Sequence, residues 1–332
     1  DAASDQHIWS ETYERPFDDV MAIQASVART VARIVQAKLT DQDEEQLRRV
    51  LDIRPQTFES YLRAMFQYRN ETQESYQKGI EILEDALAND PTSALAYAAL
   101  GQGYMELVHS VLPKMEAMSR ARAAIEKAIE LDPTLAEAHM ALGLHQLYGD
   151  WDISAAGVSL KRAMELNPSL ADAWYHWAWL LELTGDDEEA IAAGEKTVEL
   201  SPLHSFYIAW LADQYRDVGN YEKAIELAES VIALSPGFPV AWLVIGGVYG
   251  EQGRFDEAIA AHEHLAGMPY WEFALGQTYA WAGQPEKALE IAQGYEREPS
   301  KGIALAIIYA ALGDVDKTLY WSKHARENRF PW

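Results

Sequence analysis

The sequence predicts an all-α chain, a solenoid of about eight stacked helical hairpins. Three observations predict it. Apolar residues recur at helical spacing, as at Trp174, Trp177, Ala178 and Leu181. Glycines punctuate the chain at Gly185, Gly219, Gly253, Gly283 and Gly313, separated by 34, 34, 30 and 30 residues. Prolines keep the same beat at Pro133, Pro168, Pro202 and Pro236, spaced by 35, 34 and 34. A lone hairpin cannot bury its own apolar face, so a regular series of them must stack.

The clearest unit runs from Ala171 to Pro202. Its first helix carries the Trp174–Leu181 stripe and ends at Gly185, which can take the positive φ of a helix terminus. Asp186 to Glu189 then place negative charge at the start of a second helix, where the dipole favours it. That helix holds Ala190, Ile191 and Val198, and Pro202 stops it after Leu200. Five residues beyond each punctuating glycine stands a small residue, Ala190, Ala224, Ala258, Ala288 or Thr318, which lets two helices approach closely. Pro91 precedes Pro133 by 42 residues, so one unit is enlarged by about eight. Units begin near Ser60, Ala94, Ala136, Ala171, Ser205, Pro239, Pro269 and Pro299.

Residues 1–57 do not repeat. From Asp18 the residues Val20, Ile23, Val27, Ile34 and Val35 fall mostly on one stripe, giving an amphipathic helix to Lys38 or Leu39. Thr40 caps a short acidic helix through Val50 and Leu51, closed by Arg54-Pro55. The expected organisation is therefore a leader whose helices cap the array, followed by repeats over 58–332.

The repeat residues resemble the tetratricopeptide repeat, whose pattern is W-x-x-L-G-x-x-Y, then A, then P. One unit reads Tyr97, Leu100, Gly101, Tyr104 and another Trp242, Ile245, Gly246, Tyr249. Others are degenerate: His139, Leu142, Gly143 and Gln146 keep two positions, whereas Leu275, Gly276 and Tyr279 keep three. The resemblance implies a right-handed superhelix that binds protein or peptide segments, or a small regulatory ligand, along a concave face lined by first helices. A narrower resemblance lies in Ile8 to Arg15, Asp18 to Val20, Ile23-Gln24 and Val27-Ala28. It is similar to a junction in bacterial multidomain signalling proteins, where a nucleotide cyclase or winged-helix domain precedes a TolB-like segment and then these repeats. Asp1-Ala2-Ala3 resembles the last strand of that segment, which makes residues 1–57 a linker strand plus capping helices. This implies an interaction module on the cytoplasmic or periplasmic side of a membrane-tethered signalling protein.

Charge argues against nucleic acid as a partner. Lys plus Arg number 27 against 52 Asp plus Glu, a formal charge of −25. Phosphate backbones need clustered cations, and none recur at helical spacing. The absence of cysteine removes disulfides and thiolate chemistry and is compatible with either redox compartment. No run of about 18 apolar residues is present to span a membrane. The opening DAASDQHIWS lacks Met and a signal pattern, and reads as a fragment or a processed product.

Recognisable motifs for catalysis or a bound cofactor are also lacking, which favours a scaffold over the alternative of an enzyme whose chemistry sits in an unrecognised constellation. His262 and His264 lie two apart, so on one helix their rings diverge by about 200° and cannot share an ion. His139 occupies the leading ring position of its repeat, and His145, His176, His204 and His324 have no partner at a catalytic spacing. Gly246-Gly247 and Gly101-Gln102-Gly103 follow no strand and read as packing glycines. Trp174 and Trp242 are expected in the core, with Gly194 making room for Trp174 or Trp177.

The concave face implied by the resemblance supplies the candidate binding residues. In the central unit these are Asp172, Tyr175, Trp179 and Glu182. One unit back they are Met140, Leu144 and Leu147; one unit on, Ala209, Asp213 and Arg216; further out, Tyr68, Gln102, Gln277 and Trp281. Aromatic rings beside mixed charge suit an amphipathic peptide or a ligand with an apolar body. The alternative is that Tyr175 and Trp179 pack against neighbouring first helices.

Overall fold

The computed structural model describes residues 53–69, 72–107, 114–268, 270–298 and 301–327. The expected leader strand and helices lie outside the described residues, apart from the terminal Arg54-Pro55. Among the described residues all regular structure is helical. The helices are α1 (Pro55–Tyr68), α2 (Gln73–Asn89), α3 (Ala94–Leu107), α4 (Lys114–Leu131), α5 (Ala136–Leu144), α6 (Ile153–Leu166), α7 (Ala171–Thr184) and α8 (Asp187–Leu200). They continue as α9 (Ser205–Asp217), α10 (Tyr221–Leu234), α11 (Pro239–Glu251), α12 (Phe255–His262), α13 (Phe273–Trp281), α14 (Pro285–Tyr295), α15 (Gly302–Ala311) and α16 (Val315–Glu327). Odd-numbered helices are the first helices of the repeats, and five of them start at the residue the period marks: Ala94, Ala136, Ala171, Ser205 and Pro239. The chain forms two compact units, one ending at His145 and the other beginning at Gln146.

The punctuation does what its chemistry requires. Gly185, Gly219, Gly253, Gly283 and Gly313 all adopt φ between 72° and 81°, the left-handed conformation that lets the backbone leave a helix without a Cβ clash. Acidic residues follow at once: Asp187, Glu188 and Glu189 fill the first turn of α8. Asn220 and Asp314 accept hydrogen bonds from the backbone N–H groups of Lys223 and Lys317, capping α10 and α16. Ala190, Ala224, Ala258 and Ala288 are each at most 1% exposed, consistent with helix-to-helix contact there.

The leading ring has a role beyond packing. Trp174 and Trp242 donate their indole N–H to the carbonyls of Pro168 and Pro236, at 2.9 and 2.8 Å, and His139 Nε2 lies 2.9 Å from the Pro133 carbonyl. Each ring stands six residues after its proline, so it ties the start of a first helix to the preceding turn. Both tryptophans are half-buried against their cores, Trp174 beside Ala178, Leu181, Ala190 and Ala193, and Trp242 at the edge of the α9–α11 cluster.

One repeat breaks the glycine rule. Trp151 sits at φ 59°, five residues before the buried Ala156, in the place where other units have glycine. The leading residue His139 is twelve residues from Trp151, against eleven between Trp174 and Gly185. The additional residue is absorbed by a π-helical turn, His145–Asp150, that follows α5.

Within the first unit, Tyr68 is the pivot. Its ring occupies space that a Cβ at Gly79 or Gly103 would take, and its hydroxyl donates to the Ala99 carbonyl at 3.3 Å. In the second unit, Ile208, Val231, Val240, Val244, Ile245 and Val248 build a core shared by α9, α10 and α11. Gly194 does permit close packing, but not for a tryptophan of its own hairpin. A Cβ there would meet Gln214 Oε1 at 2.1 Å and Leu211 Cδ1 at 3.0 Å, both on α9, so the glycine serves the contact with the next repeat.

Candidate functional site

The first-helix face of the second unit carries an aromatic ledge. On α7, Tyr175 lies within ring-contact distance of Phe206 (5.3 Å) and Tyr207 (5.5 Å) of α9. One turn on, Trp179 meets Trp210 edge-on at 5.3 Å, and Phe206 meets Trp210 at 5.9 Å. Tyr207 is fixed from both sides: its hydroxyl bonds to the carboxylate of Asp172, and its ring stacks on His204 at 4.0 Å. Tyr207 and Trp179 are buried, whereas Tyr175, Phe206 and Trp210 stay half-exposed. Tyr175 and Trp179 thus pack against the next first helix, the alternative the sequence left open, and the partly accessible surface is that of Tyr175, Phe206 and Trp210.

The same helices then turn from aromatic to charged. Asp213 and Arg216 follow Trp210 at one and two turns along α9, and Glu182 follows Trp179 on α7. The Arg216 guanidinium lies 2.8 Å from Asp213, 2.9 Å from Asp217 and 3.5 Å from Glu251 of α11. It fits because residue 247 is glycine: a Cβ there would stand 2.8 Å from the guanidinium nitrogen and 3.1 Å from Arg216 Cδ. Burial separates the carboxylates into two kinds. Asp213 is 13% exposed at its side chain, but Glu251 is 36% and Asp217 61% exposed.

Burial also sets the protonation of the inner pair. Desolvation pushes the Glu182 carboxyl up to about 7, against the hydrogen bond with Gln214 and with help from Asp213 and Asp217. Asp213 rises to about 6 for the same reason, although Arg216 favours its charged form. Arg216 is held above its ordinary value despite burial, because Asp213, Asp217 and Glu251 surround it. The cluster thus joins one arginine to three carboxyl groups, Asp213 shielded and Asp217 and Glu251 facing solvent, with Glu182 beside it as a second shielded carboxyl.

The remaining sequence-derived candidates divide by burial. Trp281 on α13 is 39% exposed and lies against Gly250 of α11, where a Cβ would meet its ring at 3.2 Å. Gln277 on α13 and Gln102 on α3 are half-buried. Tyr68, Met140, Leu144 and Leu147 are at most 5% exposed and contribute packing, and Ala209 is fully buried. The period led to Asp213 and Arg216 but passed over Phe206, Trp210, Asp217 and Glu251. The aromatic density of Ser205–Tyr215 was the available signal for the first two.

His262, His264 and His176 play packing roles. His262 is 2% exposed, with Nδ1 2.8 Å from Thr278 Oγ1 and Nε2 3.1 Å from the Leu243 carbonyl, and burial lowers it to about 4. His264 instead stacks on Trp242 at 3.7 Å, so the two rings face different neighbours. His176, edge-on to Tyr175 at 4.8 Å, is driven down to about 3 by burial. Among the described residues no group of three or more His, Cys, Asp or Glu could hold a metal ion, and no helix is long and apolar enough to cross a membrane.

Comparison with known proteins agrees with this architecture. Residues 149–205 and 215–266 match two models of the tetratricopeptide repeat. The crystal structure of the APC/C hetero-tetramer Cut9-Hcn1 is similar over 76% of this chain and 52% of that one, at 17% identity and a TM-score of 0.58. PilW, a widely conserved type IV pilus biogenesis factor, is similar over 66% and 96% of the two chains, at 17% identity and a TM-score of 0.50. At these identities the likeness concerns the fold. A curated protein of Rhizobium meliloti (strain 1021), "Putative adenylate cyclase 3", is 24% identical over 148 residues, which are 43% of this chain. The chain spans 25% of that relative's length.

Proposed function

We propose that this chain, a tetratricopeptide repeat protein, is an interaction scaffold whose second unit docks a polypeptide segment on its first-helix face on behalf of a larger bacterial signalling protein. The observation that carries the docking reading is the ledge of Tyr175, Phe206 and Trp210. These rings are half-buried on a face continuous with a charged cluster, whereas the buried core shared by α9, α10 and α11 is alanine, valine and isoleucine. Large rings on a rigid scaffold are the usual anchors of a binding surface. Two features support the signalling context: the leader resembles a cyclase or regulator junction, and the curated relative is named as a cyclase.

Phe206→Ala tests docking, because the ring is half-exposed and its loss leaves most of the α9–α11 core in place. A partner segment should bind this variant at least about fivefold more weakly while the unfolding midpoint moves little. Unchanged affinity for a segment that binds the chain would move docking to another face. The context is tested by the reading frame preceding Asp1. A nucleotide cyclase or winged-helix domain supports it, and neither being present removes it.

A further inference from the structure

The charge on this face points to the chemistry of the segment. Asp213, Asp217 and Glu251 surround one cation, Arg216, and that cation is committed to them. Gly247 provides the space in which the guanidinium lies, so Arg216 is held in place and the outer carboxylates, Asp217 and Glu251, are held with it. Fixed charges bind a partner without first being ordered, which lowers the cost of association. On the neighbouring α13 the ring of Trp281, 39% exposed, lies against Gly250 of α11, and such a ring can take an aliphatic stem or a cation. The formal charge of −25 adds a long-range field of the same sign.

Resting on the docking reading above, we infer that the occupant is a basic segment, with Lys or Arg meeting the outer carboxylates Asp217 and Glu251 and an adjacent aromatic or branched apolar residue seated on the Tyr175–Phe206–Trp210 ledge. The order follows from the helices themselves, since Phe206, Trp210 and Asp217 stand in succession along α9 and Glu251 of α11 reaches the same arginine. An acidic or phosphorylated segment would meet surplus negative charge with the one arginine already neutralised. A purely apolar segment would leave Asp217 and Glu251 with no role in binding.

A displayed library of random peptides, selected against the intact chain at low ionic strength, tests this. The comparison protein is the Asp217→Asn/Glu251→Gln double variant, whose fold is checked by its unfolding midpoint. The expected pool is enriched in Lys or Arg next to an aromatic or branched apolar residue. A synthetic peptide from that pool should bind the double variant roughly five- to tenfold more weakly. Its affinity for the natural chain should fall as salt rises from about 50 to about 500 mM. Enrichment of acidic or neutral peptides, or equal binding to the double variant, overturns the basic partner and leaves docking standing. A pool no richer than one selected on an unrelated protein removes the docking reading itself, and this inference with it.

Discussion

Gly246→Ala isolates the packing on which the α11–α12 repeat depends. In an unconstrained helix interior, alanine in place of glycine gains about 0.5–1 kcal/mol. Here the added Cβ would lie 2.2 Å from His262 Cδ2, 2.3 Å from Nε2 and 2.7 Å from Cγ, so the imidazole must move. The ring is 2% exposed and held at both nitrogens, by Thr278 Oγ1 and the Leu243 carbonyl. Overpacking a filled site costs about 1–3 kcal/mol, and each buried hydrogen bond broken without replacement adds a similar amount. Losing one of the two bonds gives a net destabilisation of about 3 kcal/mol.

Urea unfolding followed by tryptophan fluorescence reads this, supported by hydrogen exchange at α11 and α12, since a repeat array can unfold in parts. His262→Ala supplies the control. In that background the clash is absent, and Gly246→Ala should then be neutral or stabilising by up to about 1 kcal/mol. If Gly246→Ala stabilises the natural chain, or has the same effect in both backgrounds, the close approach described here is wrong.

Other perturbations read different parts of the structure. Arg216→Ala should destabilise by about 3–5 kcal/mol in urea unfolding, because it strands the buried Asp213; Asp213→Asn/Arg216→Met should recover most of that, and failure to recover would show that the pair is not the cause. His176 is buried neutral with a lowered pKa, so its contribution is intact above about 6.5 and is lost as pH falls from there towards 3. His176→Phe should flatten that limb of a pH–stability curve by up to about 1.4 kcal/mol per pH unit, and an unchanged limb would argue against burial. Glu182 has the opposite sign: its raised pKa makes its contribution full below about 4.5 and lost as pH rises to about 7, so Glu182→Gln should be relatively more stable than the natural chain at pH 7.5 than at pH 4.5. A constant difference between the two curves would contradict the raised pKa. Trp242→Ala should cost about 3 kcal/mol through lost packing and the lost bond to Pro236, and an unchanged midpoint would remove Trp242 from the core.

What the sequence by itself determined is the local punctuation and its period. A left-handed residue is cheap only for glycine, and proline cannot continue a helix, so Gly185 and Pro202 mark boundaries whatever surrounds them. Repetition of those marks was enough to place most first helices and to set Asp213 and Arg216 in register with Trp179 and Glu182. The tertiary structure decided what depends on neighbours from other repeats. It placed Gln214 rather than a tryptophan over Gly194, and assigned Gly246 to His262 and Gly247 to Arg216. It also let Trp151 stand in a glycine's position by spending one residue in a π turn. Tyr68 and Tyr175 are alike in the sequence as first-helix tyrosines, yet one is buried and the other half-exposed. Periodicity fixes the direction in which a side chain leaves its own helix, whereas its exposure and pKa depend on how closely the next helix approaches, and that distance is set by residues a whole repeat away.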